Sequence, residues 1–504
     1  MAKATAKPGT NSDYTSKQFY LDDLMRTLFP LTTNRVLVEA GAADLLAYSN
    51  SLIANNKPFL PQRRVYASKD KLHLRRTVKL DPVAEYFLYD LVFRNRTLFR
   101  KSHSADREHY GYRFENSRPQ APSKSYRLWK SNNAVREFAA EESLSFDIAS
   151  YFNNVYQHDL HSWFGALGAQ DDDVAAFGKF FREINAGRSL DCLPQGLYPT
   201  KMIGNDFLRF IEESANVRSA FISRFMDDVY LYDNNLNVLK KDFAEIQRVV
   251  GLKGLSVNAS KTRCSDELPA AETDEEPVDE IKKRLLKRRR DLIVQRYDDG
   301  DLDEGGEATH EMLDDEEIGF IEGLLKGSNL REEDAELIMV LMRDHVELLE
   351  DHLALFAEGY PHLAKNFYGL CSAASDKDAV ASIVSTVTAS GNHVPEYQLF
   401  WFGRMLEDYL MTTKHAADLI HALYNHASAT DITKAKILEI ADQRFGLPEM
   451  REGFLREGRS DWLSWSSAVG ARGAKRQTRN YLLDYFANGS EMNRLFASIV
   501  KKLP

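Results

Sequence analysis

Three aspartates in two short segments have the residue types and surroundings of a metal-dependent phosphoryl-transfer site. Asp147 lies in SerPheAspIleAlaSerTyrPhe at 145–152, and Asp227 and Asp228 lie side by side in ArgPheMetAspAspValTyrLeu at 224–231. Hard divalent cations prefer oxygen ligands. Two such cations bridged by carboxylates can activate a hydroxyl nucleophile and stabilise a leaving pyrophosphate. Because phosphoryl transfer needs little from a protein beyond positioning and charge, these aspartates are candidates for its catalytic core.

The sequence around these aspartates predicts the strands that would carry them. Apolar residues on both sides of Asp227 and Asp228 are typical of a β-hairpin whose tight turn presents the two carboxylates. Near Asp147, apolar side chains alternate with small or polar ones, which predicts a strand buried on one face (Leu144, Phe146 and Ile148 against Ser145, Asp147 and Ala149). We therefore expect three carboxylates on adjacent strands. The alternative, unrelated core strands with incidental acids, would bury carboxylates without partners, which is costly.

The composition limits the class of protein. A chain of 504 residues is long enough for two or three domains with their own cores. Its three cysteines have no metal-type spacing, which favours a reducing cytosol over a disulfide framework or a zinc site (Cys192, Cys264 and Cys371). The chain begins with a polar stretch and has no apolar run of membrane-spanning length. We therefore expect a soluble cytoplasmic protein that does not contact a membrane.

Charge is distributed unevenly along the chain, although the net charge is only −10. Residues 51–130 contain 18 Lys and Arg against 7 Asp and Glu, whereas residues 265–318 contain 8 against 20. Aromatic residues lie between the arginines of the basic stretch, a mixture suited to phosphate contacts and base stacking. Alternatively, these aromatics are core residues of a helix spanning 82–99.

We predict an α+β protein with four parts. They are, in order, an N-terminal helical and basic region at 1–140, a β-rich part at 141–264 with helices at 158–168 and 204–216, a charged linker with one charged helix at 265–318, and an all-α part similar to HEAT-like helical repeats at 319–504. In the last part, Arg472, Lys475, Arg476 and Arg479 cluster within eight residues. This cluster suits either nucleic-acid contact or an ordinary solvated helix face.

Four motifs, taken in order, resemble those of reverse transcriptases. They are Asp147 at motif A, ProGlnGly at 194–196 at motif B, Asp227 and Asp228 at motif C, and GlyLeuSerValAsn at 254–258, followed by Lys261, at motif D. A conventional enzyme follows this palm with a basic thumb, whereas here an acidic linker and a long helical part follow. This combination, over nearly the whole chain, resembles the prophage-borne abortive-infection (Abi) reverse transcriptases of the AbiK and P-two-prophage type.

The resemblance implies a fold, an activity and partners. It implies reverse-transcriptase-like fingers and palm, an antiparallel sheet with helices, ahead of the helical part. It implies an enzyme that polymerises dNTPs without a template, begins on a tyrosine hydroxyl of the protein, stays covalently attached to its single-stranded DNA product, and defends a bacterium against phage. It also implies two Mg²⁺ ions, with Mn²⁺ as a possible substitute, and a homo-oligomer in the bacterial cytoplasm, for which we expect a trimer.

The resemblance also implies roles for single residues. Asp147, Asp227 and Asp228, with the neighbouring Ile148, match the metal-binding positions, and Lys261 matches a lysine that protonates the leaving pyrophosphate. The positions that match nucleotide-binding residues are Phe152 against the 2′ position of the sugar, Gln195 and Gly196 beneath the incoming nucleotide, and Arg75 and Arg76 at the triphosphate.

The primer end departs from the family pattern. Phe225 stands where the family has a tyrosine, so a hydroxyl near the primer is missing while the metal ligands are kept. A protein primer must bring a phenol to two metal ions and should therefore lie on a mobile or terminal segment. Tyr14 and Tyr20 lie near the start of the chain and are the priming candidates.

Two other functions fit the same sequence. A templated RNA-directed DNA polymerase with an accessory helical domain would explain the intact ProGlnGly motif, but the basic thumb is missing. A catalytically dead scaffold that binds a partner through its helical part would have no reason to keep three carboxylates together.

Overall fold

The computed structural model describes residues 14–102, 104–115, 117–265, 280–298, 313–327 and 330–504. Within these ranges the protein is a mixed α+β structure with small sheets and many helices. No helix in these ranges is long and apolar enough to cross a bilayer. Much of the acidic sequence of the predicted linker, at 266–279 and 299–312, lies outside the described residues.

Helices, two two-stranded antiparallel pairs and one strand of a larger sheet make up the part before residue 141. Its elements are α1 (Ser16–Leu24), α2 (Thr32–Ala54), β1 (Arg63–Ser68), β2 (Leu74–Lys79), α3 (Pro82–Arg94), β3 (Arg107–Tyr110), β4 (Phe114–Glu115), β5 (Arg118–Pro119) and α4 (Pro122–Ala139). Thr15 and Gln18 form a reciprocal capping box at the start of α1, and Asp81 caps α3 ahead of Pro82. These caps accept hydrogen bonds from N–H groups of the first helical turn that have no acceptor within the helix.

The aromatic residues near 82–99 belong to the core, as the second interpretation of the basic stretch predicts. Tyr86, Phe87 and Tyr89 on α3 are buried. Burial of each such ring contributes on the order of 2 kcal/mol to folding. These rings therefore stabilise the fold and do not form a stacking surface for bases.

A five-stranded sheet carries both aspartate segments. Its part of the chain contains β6 (Glu142–Phe146), α5 (Tyr151–Asn154), α6 (Gln157–Ala166), α7 (Asp171–Ile184), α8 (Tyr198–Phe207), β7 (Phe221–Phe225), β8 (Asp228–Asp233), α9 (Leu236–Gly251) and β9 (Arg263–Cys264). The strand order is β3-β7-β8-β6-β9, with β3 parallel to β7 and the other neighbours antiparallel. The predicted β7–β8 hairpin is confirmed, and β6 lies directly beside β8.

The helices between the aspartate segments differ from the predicted ones. The helix predicted at 158–168 is α6, but the helix predicted at 204–216 is wrong, because α8 begins at Tyr198 and ends at Phe207. Pro199 lies in the first turn of α8, where its fixed φ and missing N–H favour a helix start. Helix α7 was not predicted, although its first turn carries three aspartates that interact favourably with the helix dipole.

Only helices follow residue 279 in the described part of the chain, as predicted. They are α10 (Glu280–Asp298), α11 (Asp315–Lys326), α12 (Glu332–Leu341), α13 (Leu353–Gly359), α14 (Ala364–Cys371), α15 (Lys377–Ala389), α16 (Glu396–Met405), α17 (Ala416–Asn425), α18 (Asp431–Leu438), α19 (Leu447–Glu457), α20 (Trp462–Gly470), α21 (Arg476–Ala487) and α22 (Glu491–Lys501), with short 3₁₀ and π turns between some of them. Their organisation as HEAT-like repeats stays a prediction.

The helical part is divided between two apolar cores. One core joins α20, α21 and α22 to α2 and to the sheet. The other core is shared by the consecutive helices from α10 through α17. Gly41 on α2 lies against Ile499 on α22, so closely that a Cβ at Gly41 would stand 2.4 Å from the Ile499 Cδ1. The end of the helical part is therefore packed into the core of the N-terminal region.

A buried carboxylate joins the start of α2 to the helical part. Glu439 is fully buried and accepts hydrogen bonds from the backbone N–H groups of Thr32 (2.9 Å) and Thr33 (2.6 Å). It also accepts one from the Lys436 ammonium (2.7 Å). Open N–H groups at a helix N-terminus form a natural carboxylate site. This contact fixes α2 against α18, although about 400 residues separate the two in the sequence.

The basic helix α10 is paired with acids of the two helices that follow it. The ion pairs are Lys282 with Asp334, Arg284 with Glu316, Arg288 with Glu317, and Arg289 with Glu336. Leu285 on the same helix is buried. The charged helix of the predicted linker is therefore docked on α11 and α12 instead of solvated on all sides.

Candidate active site

The turn of the β7–β8 hairpin presents Asp227 and Asp228. Phe225 pairs with Asp228, so Met226 and Asp227 form a two-residue loop. Met226 has a φ of 58°, in the left-handed region that costs a non-glycine residue roughly 1–2 kcal/mol. A positive φ at the first loop position matches the twist of a two-residue hairpin. The turn therefore needs a contact that holds Met226 in place.

Arg224 supplies that contact from beneath the hairpin. Its guanidinium is fully buried, and Nη1 donates a hydrogen bond to the Met226 carbonyl at 2.8 Å. Glu212 accepts from Nε (2.9 Å) and Nη2 (2.6 Å) of the same guanidinium. Against the effect of burial, Arg224 and His109 lower the pKa of Glu212 to about 2. The pair is therefore charged at neutral pH and fixes the turn that carries Asp227.

Asp147 follows directly on β6 and lies beside the segment that carries Lys261. The Asp147 carbonyl accepts the N–H of Asn258 at 2.9 Å, and Ile148 is buried and bridges Val257. These backbone contacts bring the Lys261 Nζ to 2.7 Å from the Asp147 Oδ2, to which it donates. The structure thus joins the predicted motif A aspartate to the predicted motif D lysine.

The carboxylates of the cluster carry more negative charge than their surroundings balance. Burial, then the charges of Asp228 and Asp147, raise the pKa of Asp227 to about 6, although Lys261 opposes this. Burial and Asp147 also raise the pKa of Asp228. The Asp147 Oδ1 is buried and has no hydrogen-bond partner among the described residues. Such a site favours binding of a cation.

The residues present fit divalent cations, although they do not form a closed cage. In the described part of the chain, no three Asp, Glu, His or Cys side chains stand together at metal-ligand spacing. The three aspartates nevertheless act on one another electrostatically, offer only hard oxygen donors, and include one buried oxygen without a partner. Asp147, Asp227, Asp228 and the backbone of Ile148 are the residues that would hold the ions.

A polar network connects the predicted nucleotide-binding residues. Gln195 Nε2 donates to the Arg76 carbonyl (3.0 Å) and to Asn153 Oδ1 (3.1 Å). Asn153 Nδ2 donates to Asp191 Oδ1 at 2.6 Å. Asp191 Oδ2 pairs with Arg76 Nε at 3.1 Å and also with the Arg64 guanidinium. The network therefore joins the β1–β2 hairpin to the segments after β6 and before α8.

Arg75 and Arg76, the two residues predicted to bind the triphosphate, have different surroundings, and Arg64 lies beside one of them. Burial, followed by the nearby charges of Arg188 and Arg76, lowers the pKa of Arg64. Arg64 and Arg76 both pair with Asp191. Arg75 projects from the other face of β2 and acts on Tyr397 of α16 instead. The structure thus brings Arg76 together with Gln195, and it adds Arg64 where the sequence indicated Arg75.

Phe152 lies next to this network, in front of α8. Its Cζ stands 3.2 Å from the point where a Cβ of Gly204 would lie, and its ring is 5.5 Å from the ring of Tyr151. Tyr151 is itself fixed, because its hydroxyl donates to the Gly204 carbonyl at 2.7 Å. The Phe152 ring is therefore held in one place beside Asn153.

Phe152→Ala is expected to admit ribonucleotides, because the ring would no longer exclude a 2′-hydroxyl. We expect the preference for dNTPs over rNTPs, measured as a ratio of kcat/KM values, to fall by about tenfold or more. Phe152→Tyr keeps the ring and serves as the control, with the preference unchanged. An unaltered preference in Phe152→Ala would contradict the role of Phe152.

Gly196 is required by a contact inside the protein. Its φ is 96°, and a Cβ there would lie 2.8 Å from the Leu28 Cγ. A side chain would be strained by the backbone conformation and would collide with Leu28. The glycine therefore lets the segment before α8 pass the end of α1.

Neither priming candidate lies on a loose segment. Tyr20 is fully buried, and its hydroxyl donates to Glu85 at 3.0 Å, so the prediction that it is accessible is wrong. The apolar face of α1 is packed on α3, which explains its burial. The Tyr14 hydroxyl donates to Asp22 at 2.7 Å, and burial together with this bond raises the pKa of Tyr14. Tyr14 is therefore held on the surface of α1 and is not in a loose, polar context.

The basic cluster of the last helices is partly structural. Arg479 is buried and donates to the carbonyls of Leu503 and Pro504, and Arg472 donates to the carbonyl of Glu439. Lys475 and Arg476, in contrast, are exposed. The solvated-face interpretation and the nucleic-acid interpretation thus apply at most to these two residues.

Comparison with known proteins assigns no family. No protein-family model matches the chain, and no curated protein matches it. Among solved structures, it has some similarity to telomerase from Candida albicans in complex with a fragment of telomeric RNA. The identity is 11%, the match covers 88% of this chain and 65% of the telomerase chain, and the TM-score is 0.28. The chain thus spans just under two thirds of the telomerase chain, and a likeness this low carries no conclusion about fold or function.

Several residues of the site were missed in the sequence. Arg224 and Glu212 lie twelve positions apart with no shared motif, and only the fold brings them together. Asn153 and Asp191 looked like ordinary polar residues. Arg64 lies in the basic stretch at 51–130, where nothing in the sequence distinguishes it from the other arginines. The signal that was available is that Arg224 interrupts an apolar strand at a position facing inward, where an arginine requires a partner.

Proposed function

We propose that this protein is a reverse-transcriptase-like nucleotidyltransferase that polymerises dNTPs. The observation that carries the proposal is the cluster of Asp147, Asp227 and Asp228 at the ends of adjacent strands, with a raised pKa at Asp227 and a buried Asp147 oxygen that has no hydrogen-bond partner among the described residues. A site with no ligand to bind would have no reason to keep such repulsion, since buried like charges are destabilising.

Two Mg²⁺ ions, or Mn²⁺ in their place, would lower the pKa of the attacking hydroxyl and neutralise charge on the leaving pyrophosphate when bound. In the reaction, an acceptor oxygen forms a bond to the α-phosphorus of a dNTP. The bond from that phosphorus to the bridging oxygen breaks, pyrophosphate leaves, and the hydroxyl proton is released.

The remaining steps use side chains of this chain. Arg64 and Arg76 bind the triphosphate after exchanging Asp191 for phosphate oxygens, since guanidinium groups form paired hydrogen bonds to phosphate. Phe152 limits the sugar to deoxyribose. Lys261 holds its proton at Nζ, because its hydrogen bond to Asp147 raises its pKa. Once that contact is released, Nζ can protonate the leaving pyrophosphate.

We further propose that synthesis is template-independent and protein-primed, as the resemblance to the abortive-infection enzymes implies. The internal pairing of α10 supports this, because four cations of the basic helix after the sheet (Lys282, Arg284, Arg288 and Arg289) are engaged by α11 and α12 and are not presented as a free basic thumb. The proposal includes defence against phage in a bacterial cytoplasm, a covalently attached single-stranded product, and a homo-oligomer. Light scattering of the same preparation measures the oligomer, for which we expect a trimer.

One incubation separates this function from the two alternatives. Purified protein is mixed with Mg²⁺ and labelled dNTPs, without template or primer, and the product is treated with protease. We expect a labelled DNA product whose mobility changes on proteolysis. Product formed only with added template would indicate a templated reverse transcriptase. No product under either condition would indicate a scaffold.

A further inference from the structure

An aromatic cluster with one exposed ring adjoins the catalytic hairpin on the side away from the nucleotide network. Helix α4 packs on β7 and β3, whereas the network of Asn153 and Gln195 follows β6 on the other side of β8. A nucleotidyl transfer needs a dNTP on one side of the carboxylates and an acceptor hydroxyl on the other. The α4 side is therefore the place to look for the acceptor.

Three rings form this cluster, and one of them is accessible. The ring of Tyr126 is 5.2 Å from the ring of Phe225 and 5.4 Å from the ring of Trp129. Tyr126 is 40% exposed, whereas Trp129 is buried and also contacts Tyr230 of β8. Tyr126 thus offers an aromatic face that is fixed against the strand leading into the two aspartates.

A cation accompanies the rings. The Lys130 Nζ stands 5.7 Å from the centre of the Tyr126 ring and 5.1 Å from that of Trp129. Lys130 is also close enough to Asp228 for its charge to act on that carboxylate. An aromatic face next to a cation is the arrangement that binds single-stranded nucleic acid without sequence preference.

We propose that Tyr126 and Lys130 bind the 3′-terminal nucleotide of a single-stranded oligonucleotide, which is the acceptor of the nucleotidyl transfer. The base stacks on Tyr126, and Lys130 contacts the adjoining phosphate. This inference rests on the proposed function, because an acceptor site has a purpose only beside a working transferase. It also gives Phe225 a role, since its ring supports Tyr126 where a tyrosine hydroxyl is missing.

The test measures binding without catalysis. Anisotropy of a 5′-fluorescein-labelled ten-nucleotide oligo-dT is recorded with the full-length protein in EDTA. We expect Tyr126→Ala to weaken binding by about tenfold, because one base stack is lost. Tyr126→Phe should bind within about twofold of wild type, since the ring is kept. Tyr485→Ala, at a tyrosine of α21 with the same 40% exposure, is the matched control and should change nothing.

An oligonucleotide that lacks its 3′-terminal base tests whether Tyr126 contacts that base. An oligonucleotide with an abasic 3′ end should bind the wild-type protein about tenfold more weakly, and Tyr126→Ala should then cause no further loss. Lys130→Gln should reduce the slope of log affinity against log salt by about 0.7. Equal weakening of intact and abasic ligands by Tyr126→Ala would overturn the proposal.

Two further results distinguish this site from the function on which it rests. Suppose that the wild-type protein incorporates no dNTP, but that Tyr126→Ala weakens binding only when the 3′-terminal base is present. The acceptor site then stands and the polymerase proposal fails. If dNTPs are incorporated but Tyr126→Phe abolishes the reaction and the wild-type phenol carries a nucleotide, Tyr126 is itself the acceptor and the stacking role is overturned.

Discussion

Asp227→Asn protein is expected to incorporate dNTPs at about one thousandth of the wild-type rate or less, while folding at least as stably as wild type. The rate falls because a neutral amide cannot balance the charge of a bound cation, and a loss of about 4 kcal/mol in transition-state stabilisation corresponds to this factor. Stability should not fall. The pKa of Asp227 is raised to about 6 in the folded protein, so its negative charge opposes folding at pH 7.

The matched control removes the same charge from the surface. Asp172 is exposed in the first turn of α7, and Asp172→Asn should leave the rate of incorporation unchanged. Thermal unfolding at pH 7 should give a Tm for Asp227→Asn equal to or above that of wild type. Activity of Asp227→Asn within about threefold of wild type would remove this residue from the catalytic site.

Arg224→Met is expected to lower kcat by roughly a hundredfold and the free energy of unfolding by about 3–5 kcal/mol. The first effect follows because the Met226 carbonyl loses the donor that fixes the left-handed turn before Asp227. The second follows because Glu212 is left buried without its guanidinium partner and keeps only the His109 imidazole beside it. The measurements are steady-state kinetics with dNTPs and urea unfolding.

A second variant separates the two effects. Combining Arg224→Met with Glu212→Leu removes both buried charges, so stability should largely return. The rate should stay low, because the turn still lacks its donor, and the KM for dNTP should be close to wild type. Arg404→Met breaks an Arg–Asp pair in the helical part and should destabilise without this loss of kcat. Recovery of activity together with stability in the double variant would reduce Arg224 to a structural role.

Short-range patterns in the sequence were sufficient to predict the strands that carry the three aspartates. Alternating burial around Leu144 and Phe146 and the apolar flanks of Asp227 are local signals, and the structure follows them. One local expectation was too simple, because Asp147 is also buried although it was predicted on the exposed face. Lys261 and the backbone of the segment at 254–258 cover it.

Long-range contacts could not be predicted in this way. Nothing near Tyr20 indicates that Glu85 accepts its hydroxyl, and nothing near Thr32 indicates that Glu439 caps its helix. Apolar periodicity identifies a helix face that needs covering but does not identify what covers it. For the same reason, the sequence placed Tyr20 at the surface and divided the chain at residue 318, whereas α20 to α22 share a core with α2.

The contact between α2 and α22 has a consequence for how the protein is made. Gly41 receives Ile499 only after some 450 further residues have been synthesised. At synthesis rates of roughly 5–20 residues per second, the part of α2 that α22 covers stays without this partner for tens of seconds. The sheet that carries the aspartates shares that core, so its packing is completed only when α22 arrives. A nascent chain therefore carries all three aspartates of the candidate site long before the core around them is complete.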